Sequence, residues 1–320
     1  MGAYVLRRLG YGVGVVLGVL FLLFLLFFTI TAPEDIARKA LGDKAPPEAI
    51  QTWLENHEYD RPLWPWQDWD ENLLFDHYRK MLTFDFGVSD ADDSPIIDRI
   101  KAGMGPSLSL TVPLLVLGLL ISIPLSLLVA FFRETYIDRM GVFLCVLAMS
   151  VSTLLYIIGA QFLIGKVLRW YPISGFDASL AMLPRFLALP VLVGLISGVG
   201  GDVRFYRTVF LEESNRDFVR TARAKGAGEA RIMVFHVLRN AMIPILTRVV
   251  LAIPFLFMGA LLLEAFFGIP GLGSMTVDAI QSNDFSTMRT MVYIGSLLFV
   301  FGQVATDISY GLVDPRVSVE

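Results

Sequence analysis

Six long apolar stretches constrain the fold of this chain more than any other feature of its sequence. They cover roughly residues 9–31, 107–132, 141–166, 184–203, 247–267 and 290–312. Each is long enough, at about 20 residues, to cross the hydrocarbon core of a bilayer as a helix. The stretches are continuous and do not alternate, which excludes the strands of a closed barrel. The sequence therefore predicts an all-α membrane protein with six transmembrane helices.

The first apolar stretch follows Arg7 and Arg8, as in a secretory signal peptide, and "TITA" before Pro33 resembles a cleavage site. The apolar core of a signal peptide is about 7–15 residues long, however, and the stretch from Gly10 to Ile30 is longer. We therefore expect a retained helix, with residues 1–32 forming the N-terminus and transmembrane helix 1.

The formal net charge of −4 conceals an uneven distribution of charge. Residues 33–105 hold 16 of the 30 acids and 8 of the 26 basic residues, whereas residues 203–240 hold 8 basic residues and 4 acids. Basic residues favour the cytoplasmic side of a membrane. We therefore expect the segment 203–240, the turn 133–139 and both termini in the cytoplasm, with residues 33–106 as a loop on the outer side.

The outer loop has the composition of a folded segment. Trp53, Trp64, Trp66 and Trp69 fall within it, and "FDHYRKML" (75–82) has the composition of a helix. Such aromatic content argues against disorder, and tryptophan favours the membrane interface. We expect a structured cap on the membrane surface, followed by a core of transmembrane helices 2–6 over residues 107–320.

The basic segment, about residues 204–240, has the pattern of two helices separated by a glycine break. Ser214 and Asp217 match an S-x-x-D capping box, which marks a helix start. Gly226 and Gly228 suit a left-handed helix end, and a second helix can begin at Glu229.

The same segment has the side chains of a docking surface. Ala222 and Ala224 are small enough to let a helix enter a groove, and Arg220, Arg223 and Lys225 can meet acidic groups at its rim. The alternative is an ordinary basic loop on the cytoplasmic side with no partner. Pattern alone does not decide between the two.

Specific motifs add a resemblance that covers almost the whole chain. "RTARAKG" followed by "HVLRNAMIP" resembles the cytoplasmic EAA loop of permease subunits of ABC importers, in particular the oligopeptide/dipeptide/nickel-uptake branch. "MGAYVLRRLG", "FDFGVS", "PSLSLTVPLLVLGLLISIPL", "LLEAFFGIPGLG" and "DISYGLVDPR" fit that branch in the same order.

The resemblance implies a mechanism and a set of partners. The partners are a second homologous permease, two cytoplasmic ATPase subunits or domains that bind ATP and Mg²⁺, and a periplasmic solute-binding protein. This chain itself would hold no cofactor or metal and would lie in the bacterial inner membrane. A cytoplasmic coupling helix would seat in the ATPase through Phe218, Arg220, Thr221, Ala222, Arg223, Ala224, Lys225, Gly226 and Glu229.

Three features depart from the pattern of the family. Arg248 stands in a helix where an apolar residue is usual, Asp202 is a second polar intruder, and the loop at about 167–183 is short. Both charged residues fall near the cytoplasmic ends of their helices. Opposite charges in a low-dielectric site offset each other's desolvation, so we expect Asp202 and Arg248 to pair.

Ionisable groups inside membrane spans are candidates for function. Glu264 precedes "FGIPGLG", whose Pro/Gly turn is a candidate gate with Phe267, Pro270 and Gly271. The alternative for Glu264 is a buried structural pair. Asp307 is expected to be structural, through Arg316 or a loop backbone.

Several functional classes are excluded or disfavoured. The chain has no G-x-x-x-x-G-K-[ST] motif, so it does not hydrolyse ATP itself. "GVGGD" does not match the motif of an intramembrane aspartyl protease, since Val199 stands where glycine is required. We expect an importer permease for peptides or peptide-like solutes. The alternatives are nickel complexes as cargo, or a secondary transporter or channel.

The predicted topology can be tested with cysteines placed in a Cys145→Ala background, since Cys145 is the only native cysteine. A cysteine at Asp68 is expected to react with an impermeant thiol reagent from the periplasmic side, because it lies in the acidic loop. A cysteine at Glu229 is expected to react only after the membrane is opened. The reverse labelling pattern would contradict the orientation.

Overall fold

The structure, a computed structural model, describes residues 2–42, 44–68, 71–179 and 181–313, and the side chains of those between residues 6 and 307. Trp69 and the tail from residue 314, including Arg316, lie outside the described residues. The helices are α1 (Gly2–Phe24), α2 (Pro33–Leu41), α3 (Pro47–Asn56), α4 (Leu73–Leu82), α5 (Ile96–Phe131), α6 (Tyr136–Ser150), α7 (Thr153–Ala160), α8 (Leu183–Ser214), α9 (Asp217–Ala224), α10 (Glu229–Arg231), α11 (Leu238–Met258), α12 (Leu261–Phe267), α13 (Leu272–Ser282) and α14 (Phe285–Val313). Three π-helical turns extend α1, α7 and α10 over Leu25–Ile30, Gln161–Val167 and Ile232–Val237.

The predicted all-helical fold is confirmed over the described residues. Five stretches are long and apolar enough to cross a membrane: Leu6–Ile30, Ile96–Phe131, Leu183–Ser214, Glu229–Phe267 and Phe285–Asp307. A sixth results if α6 and the α7 segment, which together cover Tyr136–Ser150 and Thr153–Val167, count as one span.

The third predicted span, over 141–166, is bent by 84° between α6 and α7. Val151 and Ser152 are in extended backbone conformations between α6 and α7. The Ser150 hydroxyl donates to the Val146 carbonyl at 2.7 Å, and Tyr156 donates to the Ala148 carbonyl at 2.9 Å. Serine side chains that bond the backbone compete with helix continuation, which the hydrophobic run alone does not reveal.

The helices group into two packed units. One comprises the residues up to 105, residues 253–261 and those from 271 onward. Its core joins α1, through Leu20 and Phe24, to Ile36 and Met81 of the predicted cap and to Tyr293 of α14. The segment after helix 1 is thus folded, and α4 contains the helix expected over 75–82.

The tryptophans of this segment have different environments. Trp53 is buried and stacks on His57 with ring centroids 3.9 Å apart. Trp64 stacks on Trp66, whose side chain is 75% exposed. Trp53 therefore belongs to the core, and of the described tryptophans in the segment Trp66 is the one suited to a membrane interface.

A buried polar cluster joins the segment after α4 to the start of α14. The Asp284 carboxylate accepts from the Ser89 hydroxyl at 2.6 Å and the Asp90 amide at 3.1 Å, and Arg99 lies 3.4 Å away. Asp90 in turn accepts from the Ser286 amide and hydroxyl at 2.7 and 2.8 Å. Removing one partner from such a buried network leaves the others unsatisfied, a cost of about 1–3 kcal/mol per group.

The second unit comprises residues 106–252 and 262–270. Its core is built from Tyr206 and Phe210 of α8, Val219 of α9, and Val237. Helices α6 and α8 approach closely at Gly200, where an added Cβ would lie 2.8 Å from the Cys145 carbonyl oxygen. Small residues allow such contact between membrane helices.

His77, in α4, is a titratable group of the first unit that is almost completely buried. Its Nε2 donates to the Leu20 carbonyl at 3.1 Å, and its Nδ1 has no hydrogen-bond partner among the described residues. Burial, together with the charge of Arg289, lowers the pKa of His77 from 6.5 to about 3. The folded protein therefore holds the neutral imidazole.

This depressed pKa predicts an acid-sensitive cap. Above pH 6.5 the stabilisation is complete, and it declines as the pH falls from 6.5 toward 3, because only the unfolded chain takes up the proton. The slope contributed by His77 is at most about 1.4 kcal/mol per pH unit. Thermal unfolding of the purified complex between pH 7 and 5 should show this slope, and His77→Gln should remove it.

His236→Gln is the matched control, since His236 is partly exposed and lies in the other unit. It should leave the slope in place. An unchanged slope in His77→Gln would contradict the assignment of acid sensitivity to this residue.

Candidate functional site

The basic segment forms a short helix, a turn and a second helix, as the sequence predicts, but its first helix starts differently. The N-cap of α9 is Arg216, and no side chain caps it. Ser214 is the last residue of α8, and its hydroxyl donates to the Phe210 carbonyl at 2.6 Å. The capping box predicted from Ser214 and Asp217 is therefore wrong, because α8 continues far enough to occupy the serine.

Helix α9 has one face buried within its own chain. Val219 and Ala222 are 1% and 8% exposed and belong to the core that contains Tyr206 and Val237. Ala222 was expected to line the surface offered to a partner, but its side chain is turned toward the chain's own core. The alternation of small and basic residues does not tell which face is turned inward. The face away from the core carries Arg220, Thr221, Arg223, Ala224 and Lys225, all exposed.

The turn after α9 has the predicted left-handed residue. Gly226 has φ of +81°, whereas Gly228 is extended with φ of −68° and caps the next helix at Glu229. Of the two glycines expected to be left-handed, only the first is. The turn is closed by Arg223, whose Nε and Nη2 donate to the two carboxylate oxygens of Glu229.

This ion pair has the geometry of a bidentate guanidinium–carboxylate contact, with Nη2 2.9 Å from its oxygen. Both side chains are more than half exposed, so the pair shapes the turn and contributes little to overall stability.

An open groove of about 850 Å³ lies next to α9, where the chain passes through the π-helical turn into α11. Phe235 and Val234 are 65% and 47% exposed there. Arginines at both ends give the groove a basic rim. The lining residues are Phe218, Arg231, Val234, Phe235, His236, Leu238, Arg239, Asn240 and Met242.

The second candidate region surrounds Glu264, which is fully buried. Its Oε1 accepts from the Ser107 hydroxyl at 2.9 Å, and its carbonyl accepts from the Ile269 amide. This burial and the contact with Ser107 are what the structural alternative expects of the carboxylate. Ser107 was not predicted as its partner, since 157 positions separate the two residues.

The predicted Pro/Gly turn follows α12. Gly268 has φ of +65°, and Gly271 is the N-cap of α13, where its amide donates to the Ser274 hydroxyl. The Phe267 carbonyl accepts from the Gly175 amide at 2.7 Å. The turn thus ends one helix and starts the next, with Pro270 between them.

Gln161 is a polar residue of this region that the sequence patterns did not single out. Its side-chain amide donates to the Phe266 carbonyl at 2.8 Å and to the Ile173 carbonyl at 3.0 Å. The short loop after α7 is therefore fixed to the end of α12. One glutamine in an apolar run is a weak sequence signal.

The predicted pair between Asp202 and Arg248 is confirmed. Arg248 Nη2 lies 2.8 Å from Asp202 Oδ1, and the guanidinium lies 4.5 Å from the ring centroid of Phe205. These residues belong to α8 and α11, which correspond to the predicted transmembrane helices 4 and 5.

Two further ion pairs lie at helix ends. Asp307 is 3.2 Å from Arg8, so its observed partner is in α1, while Arg316, the predicted partner, lies outside the described residues. Arg207 donates to both carboxylate oxygens of Asp138, at 2.7 and 2.8 Å. This second pair, which joins α8 to α6, was not predicted.

Comparison with known proteins identifies relatives over nearly the full length. The family model described as "binding-protein-dependent transport system inner membrane component" matches residues 107–319. The glutathione transport system permease protein GsiC of Salmonella typhimurium is 30% identical over 98% of both chains. The probable peptide ABC transporter permease protein y4tP of Sinorhizobium fredii and a peptide transport system permease protein of Brucella abortus are each 30% identical over 99% of both chains.

The two faces of α9 predict opposite results for two tryptophan substitutions. Ala222→Trp should lower the free energy of unfolding by about 1–3 kcal/mol, because it overfills a packed core. Ala224→Trp should leave stability unchanged, because Ala224 is exposed. Thermal unfolding in detergent measures both, and equal effects would contradict the assignment of faces.

Proposed function

The chain belongs to the family of binding-protein-dependent transport system inner membrane components, and we propose that it forms half of the translocation pathway for peptides or peptide-like solutes. At the level of the family it is a permease, the non-catalytic inner-membrane subunit of an ABC importer. The observation that supports peptides as the cargo is the full-length similarity to permeases named for glutathione and for peptides. The match includes the segment before residue 107, beyond the family model itself.

The proposed assembly contains a second homologous permease, two cytoplasmic ATPase subunits or domains, and a periplasmic binding protein. Residues 33–106 would face the binding protein, because this segment is folded and acidic. Both termini would be cytoplasmic. The pair between Arg8 and Asp307 supports placing both termini on the same side of the membrane, since it joins α1 near its start to α14 near its end.

The outward face of α9 is the proposed docking surface for the ATPase. It exposes Arg220, Arg223 and Lys225, with small Ala224 between the last two, although Arg223 is also paired with Glu229. Basic side chains of this kind suit an acidic rim on the partner. Gly226 ends the helix with a backbone shape that only glycine adopts without strain.

The inward face of α9 supplies the route by which ATPase motion would reach the membrane. Val219 and Ala222 pack with Tyr206 and Phe210 of α8 and with Val237, just before α11. A displacement of α9 therefore acts on two long helices through close-packed side chains, which transmit strain with little compression. The chain contributes no chemistry to ATP hydrolysis and converts the closure of the ATPases into helix movement.

Gly226 and Gly228 offer a matched test of this coupling. Both are exposed, and an added Cβ at either would have no atom within 4 Å. They differ in backbone conformation, so valine is strained only at Gly226, by about 1–2 kcal/mol. With the complete complex in proteoliposomes, Gly226→Val should reduce peptide uptake per ATP hydrolysed roughly tenfold, which corresponds to about that energy.

Gly228→Val should retain coupled uptake. Unimpaired coupling in a folded Gly226→Val complex would contradict the docking role of this turn. Failure of the wild-type complex to import any peptide, with its ATPase active, would contradict the proposed cargo and favour another small solute such as a nickel complex.

A further inference from the structure

The ion pair between Asp202 and Arg248 is exposed, although it joins two helices that can cross a membrane. Both residues lie within helical stretches that are long and apolar enough to cross a membrane. Yet the Arg248 side chain is 46% exposed and that of Asp202 is 32% exposed. A structural pair in a span would be expected to be enclosed by its neighbours.

Exposed charges within such a helical stretch limit the environment that this surface can face. Charged side chains in membrane spans are costly in contact with lipid and are found facing a bundle interior or a water-filled cavity. The face of α8 and α11 that carries the pair is therefore turned away from the hydrocarbon. In an importer permease, the water-filled cavity available to such a face is the translocation pathway.

The immediate surroundings leave room for a ligand. Phe205 lies under the guanidinium, which fixes the plane of Arg248 by stacking. Gly198 is one helical turn from Asp202, is exposed, and would have no atom within 4 Å of an added Cβ. The Asp202 carboxylate accepts a hydrogen bond from the guanidinium, from Nη2 to Oδ1 at 2.8 Å.

We propose that Arg248 recognises the carboxylate of the cargo as it passes, and that Asp202 holds the guanidinium in place between passages. This inference rests on the proposed function, because it names the group by which a peptide would be recognised. A planar guanidinium binds a carboxylate through two parallel hydrogen bonds. The cargo carboxylate replaces Asp202 with a group of the same charge and shape.

The exchange can be reversible because the resident pair is weak. A half-exposed ion pair is screened by water and contributes little, so its opening does not trap the cargo or the pathway. Replacement of one carboxylate by another also leaves the guanidinium compensated throughout. Asp202 is thus a positioning residue, and Arg248 is the residue that contacts cargo.

The test compares a short peptide with a free C-terminal carboxylate and the same peptide as a C-terminal amide. Uptake is measured in proteoliposomes that contain the complete importer, with the binding protein preloaded and saturating. The wild-type complex should import the acid faster than the amide. Arg248→Gln should lower uptake of the acid about tenfold, the scale of a lost hydrogen bond to a charged group, and leave the amide unchanged.

Two variants separate recognition from a structural role. Arg248→Lys should keep part of the preference for the acid, because the charge remains and the bidentate geometry does not. Arg204→Gln is the matched control, since it removes an exposed arginine two residues from Asp202, and it should leave the ratio of the two uptake rates unchanged. Assembly is checked by co-purification of all subunits.

The outcomes are distinguishable. An unchanged acid-to-amide ratio in Arg248→Gln, with wild-type uptake intact, overturns this inference and leaves the peptide function standing. Loss of assembly in Arg248→Gln also overturns it and assigns the pair to a subunit interface. Absence of uptake of both peptides by the wild-type complex overturns the proposed function and this inference together.

Discussion

The cost of placing charge against hydrocarbon constrains much of this structure. A membrane chain can keep ionisable side chains only at helix ends, in enclosed polar contacts, or on faces turned from lipid. Arg8 with Asp307 and Arg207 with Asp138 illustrate the first arrangement, and Ser107 with Glu264 the second. Asp202 with Arg248 is assigned to the third by the proposal above. Each arrangement joins two helices that are distant in sequence.

The features that were predictable from sequence depend on local pattern. Continuous apolar stretches predicted the membrane helices. The segment "RTARAKGAGEA" predicted a helix break with Gly226 in a left-handed conformation, and the positions of Asp202 and Arg248 near the ends of their helices predicted that they pair. The thickness of the bilayer sets the length of a membrane helix, and a residue without a side chain is the one that adopts a positive φ without strain. Both features can therefore be predicted without knowledge of the tertiary structure.

The features that escaped prediction depend on contacts across the sequence. The cluster around Asp284 joins it to Ser89, 195 positions away. Ala222 points inward because of where α8 and α11 run, and composition does not encode that direction. The capping box at Ser214 failed for the related reason that the preceding helix, α8, extends over the serine. The 84° bend after Ser150 could not be predicted because no proline or glycine lies at the bend.

The burial of Val219 and Ala222 against the chain's own core has a consequence for assembly. The outward face of α9 is already ordered before any partner arrives, because its other face is held by packing and its end by the pair of Arg223 and Glu229. A surface prepared in this way loses little conformational entropy on association. An ATPase that docks on this face, as proposed, would therefore recognise it as a rigid body, without the slow step of folding upon binding.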